Sequence, residues 1–168
     1  MSLKQLFTIL VLTLIIGVSG CGFKLRGSAE PLPEPIRQLS VVGIDSGSSF
    51  YKVLAQGLKD AGATLVAAGE VVEQAKVTIH KVEPLREELS DSGGQTLYRT
   101  SYIVSFSLNR GDEERLIDSR QIRASREFSF DSNNPYGLEQ QDQLLRSELQ
   151  RDLIQQLIRQ IRAAGSKN

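Results

Sequence analysis

The stretch Thr96 to Asn109, TLYRTSYIVSFSLN, decides the fold. Tyr98, Thr100, Tyr102, Val104, Phe106 and Leu108 share one parity, and Arg99, Ser101, Ser105 and Ser107 share the other, with Ile103 the one apolar exception. Period-two alternation over this length predicts a strand with one face buried and the other wet. Upstream, Asp91, Ser92, Gly93 and Gly94 form the strongest turn signal in the chain. Before that turn, Ala75, Val77 and Ile79 alternate with Lys76, Thr78 and His80, so a second strand runs antiparallel to the first. Downstream, Arg110, Gly111 and Asp112 turn the chain into a third strand over 115–130, with Leu116, Ile122, Ala124, Phe128 and Phe130 expected to face inward. A three-stranded meander results.

Outside the meander the period changes. Leu138, Leu145, Leu149, Leu153, Leu157 and Ile161, reinforced by Leu144, Ile154 and Ile158, recur at helical spacing. They predict a helix over 138–163, nearly 40 Å long at about 1.5 Å per residue. Near the start, Leu39 to Ile44 reads as a strand, and Phe50, Val53, Leu54, Leu58 and Ala61 as a helix capped by Ser48 or Ser49 and stopped by Gly62. A right-handed crossover through that helix makes its flanking strands parallel. The expected class is α+β: a two-layer sandwich in which two helices cover one face of a mixed four-stranded sheet, in the order β-α-β-β-β-α. The other face stays open and carries Lys76, Thr78, His80, Arg99, Ser101, Ser105, Ser107, Ser119, Gln121, Arg123 and Ser125, with Glu127 the only acid expected near it. It is hydroxyl-rich and mildly basic.

Residues 1–20 have a short basic start at Lys4 and an apolar run from Leu6 to Val18, too short to span about 30 Å of hydrocarbon. It reads as a signal peptide. It closes with Val18, Ser19 and Gly20 before Cys21, the arrangement in which a bacterial lipoprotein is alkylated with diacylglycerol at the thiol, cleaved and N-acylated. These covalent lipids on Cys21 are the only attached groups expected, with no cofactor besides. An Asp directly after such a cysteine retains a lipoprotein in the inner membrane; Gly22 stands there instead. Outer-membrane residence is the expectation. Pro31, Pro33 and Pro35 then suggest a semi-rigid tether over 21–37, followed by one domain over 38–164 and a disordered tail at 165–168.

The 168 residues carry 20 basic and 20 acidic side chains, and removing the leader with its Lys4 leaves a formal charge of −1. No global field attracts nucleic acid, and none is expected as a partner. Cys21 is the only cysteine and His80 the only histidine. Neither a thiolate metal site nor a nucleophile-base pair can be assembled, so no enzymatic activity is expected. The Gly93, Gly94 pair lies between strands without the Lys-Ser or Lys-Thr of a phosphate loop.

Cys21, Gly22, Phe23, Lys24, Leu25, Arg26 and Gly27, the element order, and the passage Arg126 to Asp131 before a Gln-rich helix together resemble the LptE family of lipopolysaccharide-assembly lipoproteins, formerly rare lipoprotein B. The resemblance spans the mature chain. It implies a plug inside the outer-membrane β-barrel LptD that helps place lipopolysaccharide in the outer leaflet. It also implies contact with lipopolysaccharide, whose phosphates suit Arg99, Arg120, Arg123, Arg126 and Lys76. Equally, these arginines can pair with acids across the strands, such as Glu83, Glu87, Glu88 or Asp118. A second reading is a periplasm-facing lipoprotein that binds a lipid or glycan in a cleft between sheet and helices, without a barrel partner.

Overall fold

Two glycines in left-handed conformation set the long hairpin at the heart of the molecule. Gly93 and Gly94 have φ of 62° and 81°, the pair of positive values that a two-residue hairpin turn requires and that side chains resist. They join β3 (Ala75–Ser92) to β4 (Gln95–Arg110), and β5 (Glu114–Asp131) completes the antiparallel meander. β1 (Gln38–Val42), α1 (Ser49–Asp60) and the two-residue β2 (Thr64–Leu65) precede it, and α2 (Leu138–Gly165) follows. The computed structural model describes residues 31–70, 74–111, 114–131 and 137–166; the leader, Cys21, the Ser132 to Pro135 loop and residues 167–168 lie outside them.

The sheet runs β2-β1-β3-β4-β5, with β1 parallel to both neighbours. The class is the expected α+β sandwich, with five strands rather than four. β2 is too short to show an alternation: it consists of two residues held by Thr64 N–H donating to Arg37 at 2.8 Å and Val66 N–H donating to Leu39 at 3.1 Å. Ser48 caps α1 by accepting from Tyr51 N–H at 3.2 Å. Both helices lie over one face and share a single core with the sheet. Leu54 and Leu58 of α1, Leu153, Leu157 and Ile161 of α2, and Leu39, Val77, Val104, Phe106 and Leu108 of the sheet are among its fully buried members.

Three expectations are corrected at the domain's edges. The tether does not extend to 37: Leu32 and Ile36 are fully buried, Glu34–Ile36 is a 3-10 turn, and Leu32 N–H donates to Ala61 at 2.8 Å. Prolines exclude this segment from the sheet ladder, but not from the core, because they leave their neighbours' side chains free to pack. Gly165, expected to begin the tail, is the buried last residue of α2; a Cβ there would overlap the Ile36 side chain. Leu144, placed on the apolar stripe, is 63% exposed.

Irregularities in the ladders shift side-chain parity, at Ile79/Lys81 and Glu88/Ser90 of β3 and around Leu108 of β4. β3 bulges between Ile79 and Lys81, so Val82, Pro84 and Arg86 take the inward positions opposite Val104, Tyr102 and Thr100. The β4–β5 register shifts near Leu108, which brings Ile117, rather than Leu116, opposite it and into the core. Ile122 and Phe128 are buried as expected, while Ala124 and Phe130 are half-buried.

Candidate interaction surfaces

The uncovered sheet face is built by residues of one parity and is knitted by its own charges. Arg99 lies directly opposite Glu127 in the ladder and donates to it from Nε at 3.1 Å and Nη2 at 2.6 Å. Arg123 donates from Nη2 to Ser101 Oγ at 2.9 Å and lies 3.5 Å from Glu87. Lys81 pairs with Glu83 at 2.7 Å, and His80 Nε2 lies 3.0 Å from Ser107 Oγ. His80 occupies the bulge, exposed, and no described group of three or more His, Cys, Asp or Glu is placed to hold a metal. Lys76 shares this face by register.

The five basic candidates do not form one site. Lys76, Arg99 and Arg123 face outward, whereas Arg120 and Arg126 have inward parity, opposite Phe106 and Thr100. Sitting on an edge strand, their long side chains run past the core and reach α2, where Arg120 meets Gln160 and Arg126 meets Asp152, each at 3.3 Å. Of the pairings anticipated across strands, Arg123 with Glu87 forms. Tyr102, Val104, Phe106, Leu149 and Leu153 fill the centre of the sheet-helix interface, and at its β5 edge Leu116, Ile117, Arg120, Gln160 and Ala163 line a cavity of about 280 Å³.

One polar cluster was not singled out by the pattern. Asp142 is fully buried on the second turn of α2. It accepts a short hydrogen bond from the Thr100 hydroxyl, a second from Arg146 Nε at 2.7 Å, and a third from Arg86 Nη1 at 3.3 Å. Arg86 also meets Glu139 at 3.3 Å and lies 5.9 Å above the Tyr98 ring, which stacks on Phe128. The signal was present: Asp142 interrupts the spacing Leu138, Leu145, Leu149 on the apolar stripe, and Arg146 follows four residues later. The cluster pins α2 to β3 and β4. Next to it, burial pushes the Tyr102 phenol above its ordinary 10.0, while the Arg146 guanidinium pulls it back. No described helix is long and apolar enough to cross a membrane.

Solved structures share this architecture. The minor lipoprotein of Acinetobacter baumannii is 23% identical with a TM-score of 0.64, over 79% of this chain and 94% of that one. Lipoprotein B of Nitrosomonas europaea is 25% identical with a TM-score of 0.69, over 86% and 93%. Rare lipoprotein B of Shewanella oneidensis is 16% identical with a TM-score of 0.66, over 77% and 97%. No curated protein matches the chain. The family model LptE, described as Lipopolysaccharide-assembly, matches residues 36–161, from the buried Ile36 to the last core residue of α2. Because that match takes in every described strand, all of α1 and α2 as far as Ile161, the chain belongs to the LptE family.

Proposed function

We propose that this chain is a lipopolysaccharide-assembly lipoprotein, held at the outer membrane by acyl chains on Cys21, whose domain occupies the lumen of the LptD barrel as a plug. The observation that carries this reading is the LptE match over residues 36–161. The role is non-enzymatic: the domain supports the barrel and contacts lipopolysaccharide in transit. At about 0.8 kcal/mol per buried methylene, two or three acyl chains anchor it stably.

The open face suits a barrel wall. A porin-like lumen is polar, and a surface entering it loses water. Charges that already have partners lose less on dehydration than isolated ones, and Arg99 with Glu127 and Arg123 with Ser101 and Glu87 are so partnered. We therefore assign this face, with Lys76, to the barrel. The full chain, tagged and extracted in mild detergent, is expected to bring down a β-barrel protein of far larger mass. Recovery of the lipoprotein alone would overturn the plug reading.

A further inference from the structure

β5 is the last strand of the sheet, and no strand among the described residues pairs with its outer edge. It is 18 residues long. From Arg120 to Asp131 it runs against β4 without a register shift, and this segment holds neither proline nor glycine. The opposite edge of the sheet, by contrast, is the two-residue β2. A long, regular edge offers a row of backbone donors and acceptors to a further strand. Inward-pointing charges can defend such an edge, but here they are drawn up to α2, Arg126 to Asp152 and Arg120 to Gln160.

The side chains along the edge select the strand that fits. On one rung of the sheet Glu87, Arg99 and Glu127 lie side by side, alternating in sign and ending on an acid at the outer edge. Four residues earlier, Arg123 ends its own rung on a base. If two copies of β5 pair antiparallel about a two-fold axis at Ser125, Glu127 of each copy stands opposite Arg123 of the other, and the alternation continues across the junction. The same register sets Ile122 opposite Phe128 on the helix-covered face, gives Arg126 the small Ala124 as its neighbour, and opposes no like charges. Moving the axis to Ala124 brings no opposite charges together, and moving it to Arg126 sets two arginines face to face. Because α2 packs over both β4 and β5, the two copies of α2 would lie about two strand spacings apart, roughly 10 Å, the distance at which helices pack.

We propose that two copies of this chain join through β5, antiparallel about Ser125, into one continuous sheet. The paired segment, Arg120 to Phe130, is about 37 Å long at about 3.4 Å per residue and forms about ten backbone hydrogen bonds. The contact is isologous, so it closes at two copies. It goes beyond the plug reading, because it concerns the chain outside a barrel, where an uncovered edge of this length invites open-ended association.

The test is sedimentation equilibrium of the full chain in uncharged detergent, with the solvent matched to the detergent's density. The wild type is expected to be a dimer that dissociates on dilution. Arg123→Glu and Glu127→Arg each oppose like charges twice across the axis, and each should weaken the dimer by more than about tenfold. Mixed one to one, the two variants restore both opposite pairs and should associate within about threefold of wild type, a rescue that misfolded chains cannot give. Arg115→Glu, an equal charge change outside the paired segment, should leave the dimer intact. The axis is read by oxidation: Ser125→Cys should form a disulfide-linked dimer, whereas Ser129→Cys, whose two copies lie about 27 Å apart in this register, should behave like wild type. A wild type that is monomeric at every concentration, a mixture no tighter than its components, or equal cross-linking at both positions would each overturn the paired edge. Barrel co-purification is scored separately, so failure here leaves the plug reading standing, and the reverse.

Discussion

The two ends of α2 hold the same sheet by different physics. Toward its C-terminus, Leu153, Leu157 and Ile161 are fully buried against Leu39, Leu54, Leu58, Val77 and Phe106, and the Leu32–Ile36 segment closes the bottom. Toward its N-terminus, burial thins and the contact is made by Asp142 with Thr100, Arg86 and Arg146. Apolar packing is non-directional and scales with area; a buried carboxylate with three donors is directional and tolerates one helix position. The base end therefore carries the stability, and the far end fixes where the helix lies along the long meander. Beyond the clamp the hairpin tip, from Glu88 to Gly93, is exposed, including Leu89 at 38%.

Cutting a leucine from the base should produce the largest loss. Leu157→Ala removes a fully buried side chain from the common core and is expected to cost about 3–5 kcal/mol, read from the midpoint of urea unfolding. Because that core joins both helices to the sheet, the loss should be global, with every protected amide exchanging faster. Cutting the clamp should cost less and act locally. Asp142→Ala leaves Thr100 and two arginines that are about 30% exposed and can turn to water, so the expected cost is about 2–3 kcal/mol. Amide exchange should then accelerate around Thr100 and Leu145 while Val77 and Leu108 stay protected. A uniform loss of protection in this variant would make the two ends a single cooperative unit and end the distinction drawn between them.

The base end was also the legible end. Leu149, Leu153, Leu157 and Ile161 declare a helix by spacing alone, and Val104, Phe106 and Leu108 declare a strand, because each contributes to burial independently of exact register. What escaped was what depends on register. The single extra residue at His80 turns Arg86 toward α2 rather than outward, and no propensity scale marks where a bulge falls. Arg120 and Arg126 were read by their charge, but their ladder positions opposite Phe106 and Thr100 send them to the helix side. Leu32 and Ile36 were hidden by the prolines between them, which describe the backbone and say nothing of the side chains' destination. Asp142 was masked by the leucines of its own stripe.

Tyr102 sits where the two ends meet, and it yields the smallest and most specific effect. Its ring stacks on Phe50 of α1 at a centroid distance of 6.1 Å, while its phenol feels the field of Arg146 in the clamp. Burial holds its proton to higher pH than the ordinary 10.0, and Arg146 opposes this. The folded protein thus keeps a proton that the unfolded chain releases, so this contribution to stability is complete below about pH 10 and is lost as pH rises through the folded-state value. Unfolding curves of wild type and Tyr102→Phe should run parallel from pH 7 to about pH 9 and converge or cross above about pH 10, where only the wild type carries the extra downward slope. Removing the opposing charge with Arg146→Met should push the phenol higher and steepen that slope. If Arg146→Met leaves the alkaline limb unchanged, the clamp does not reach the core, and the two ends are electrostatically as separate as their packing makes them.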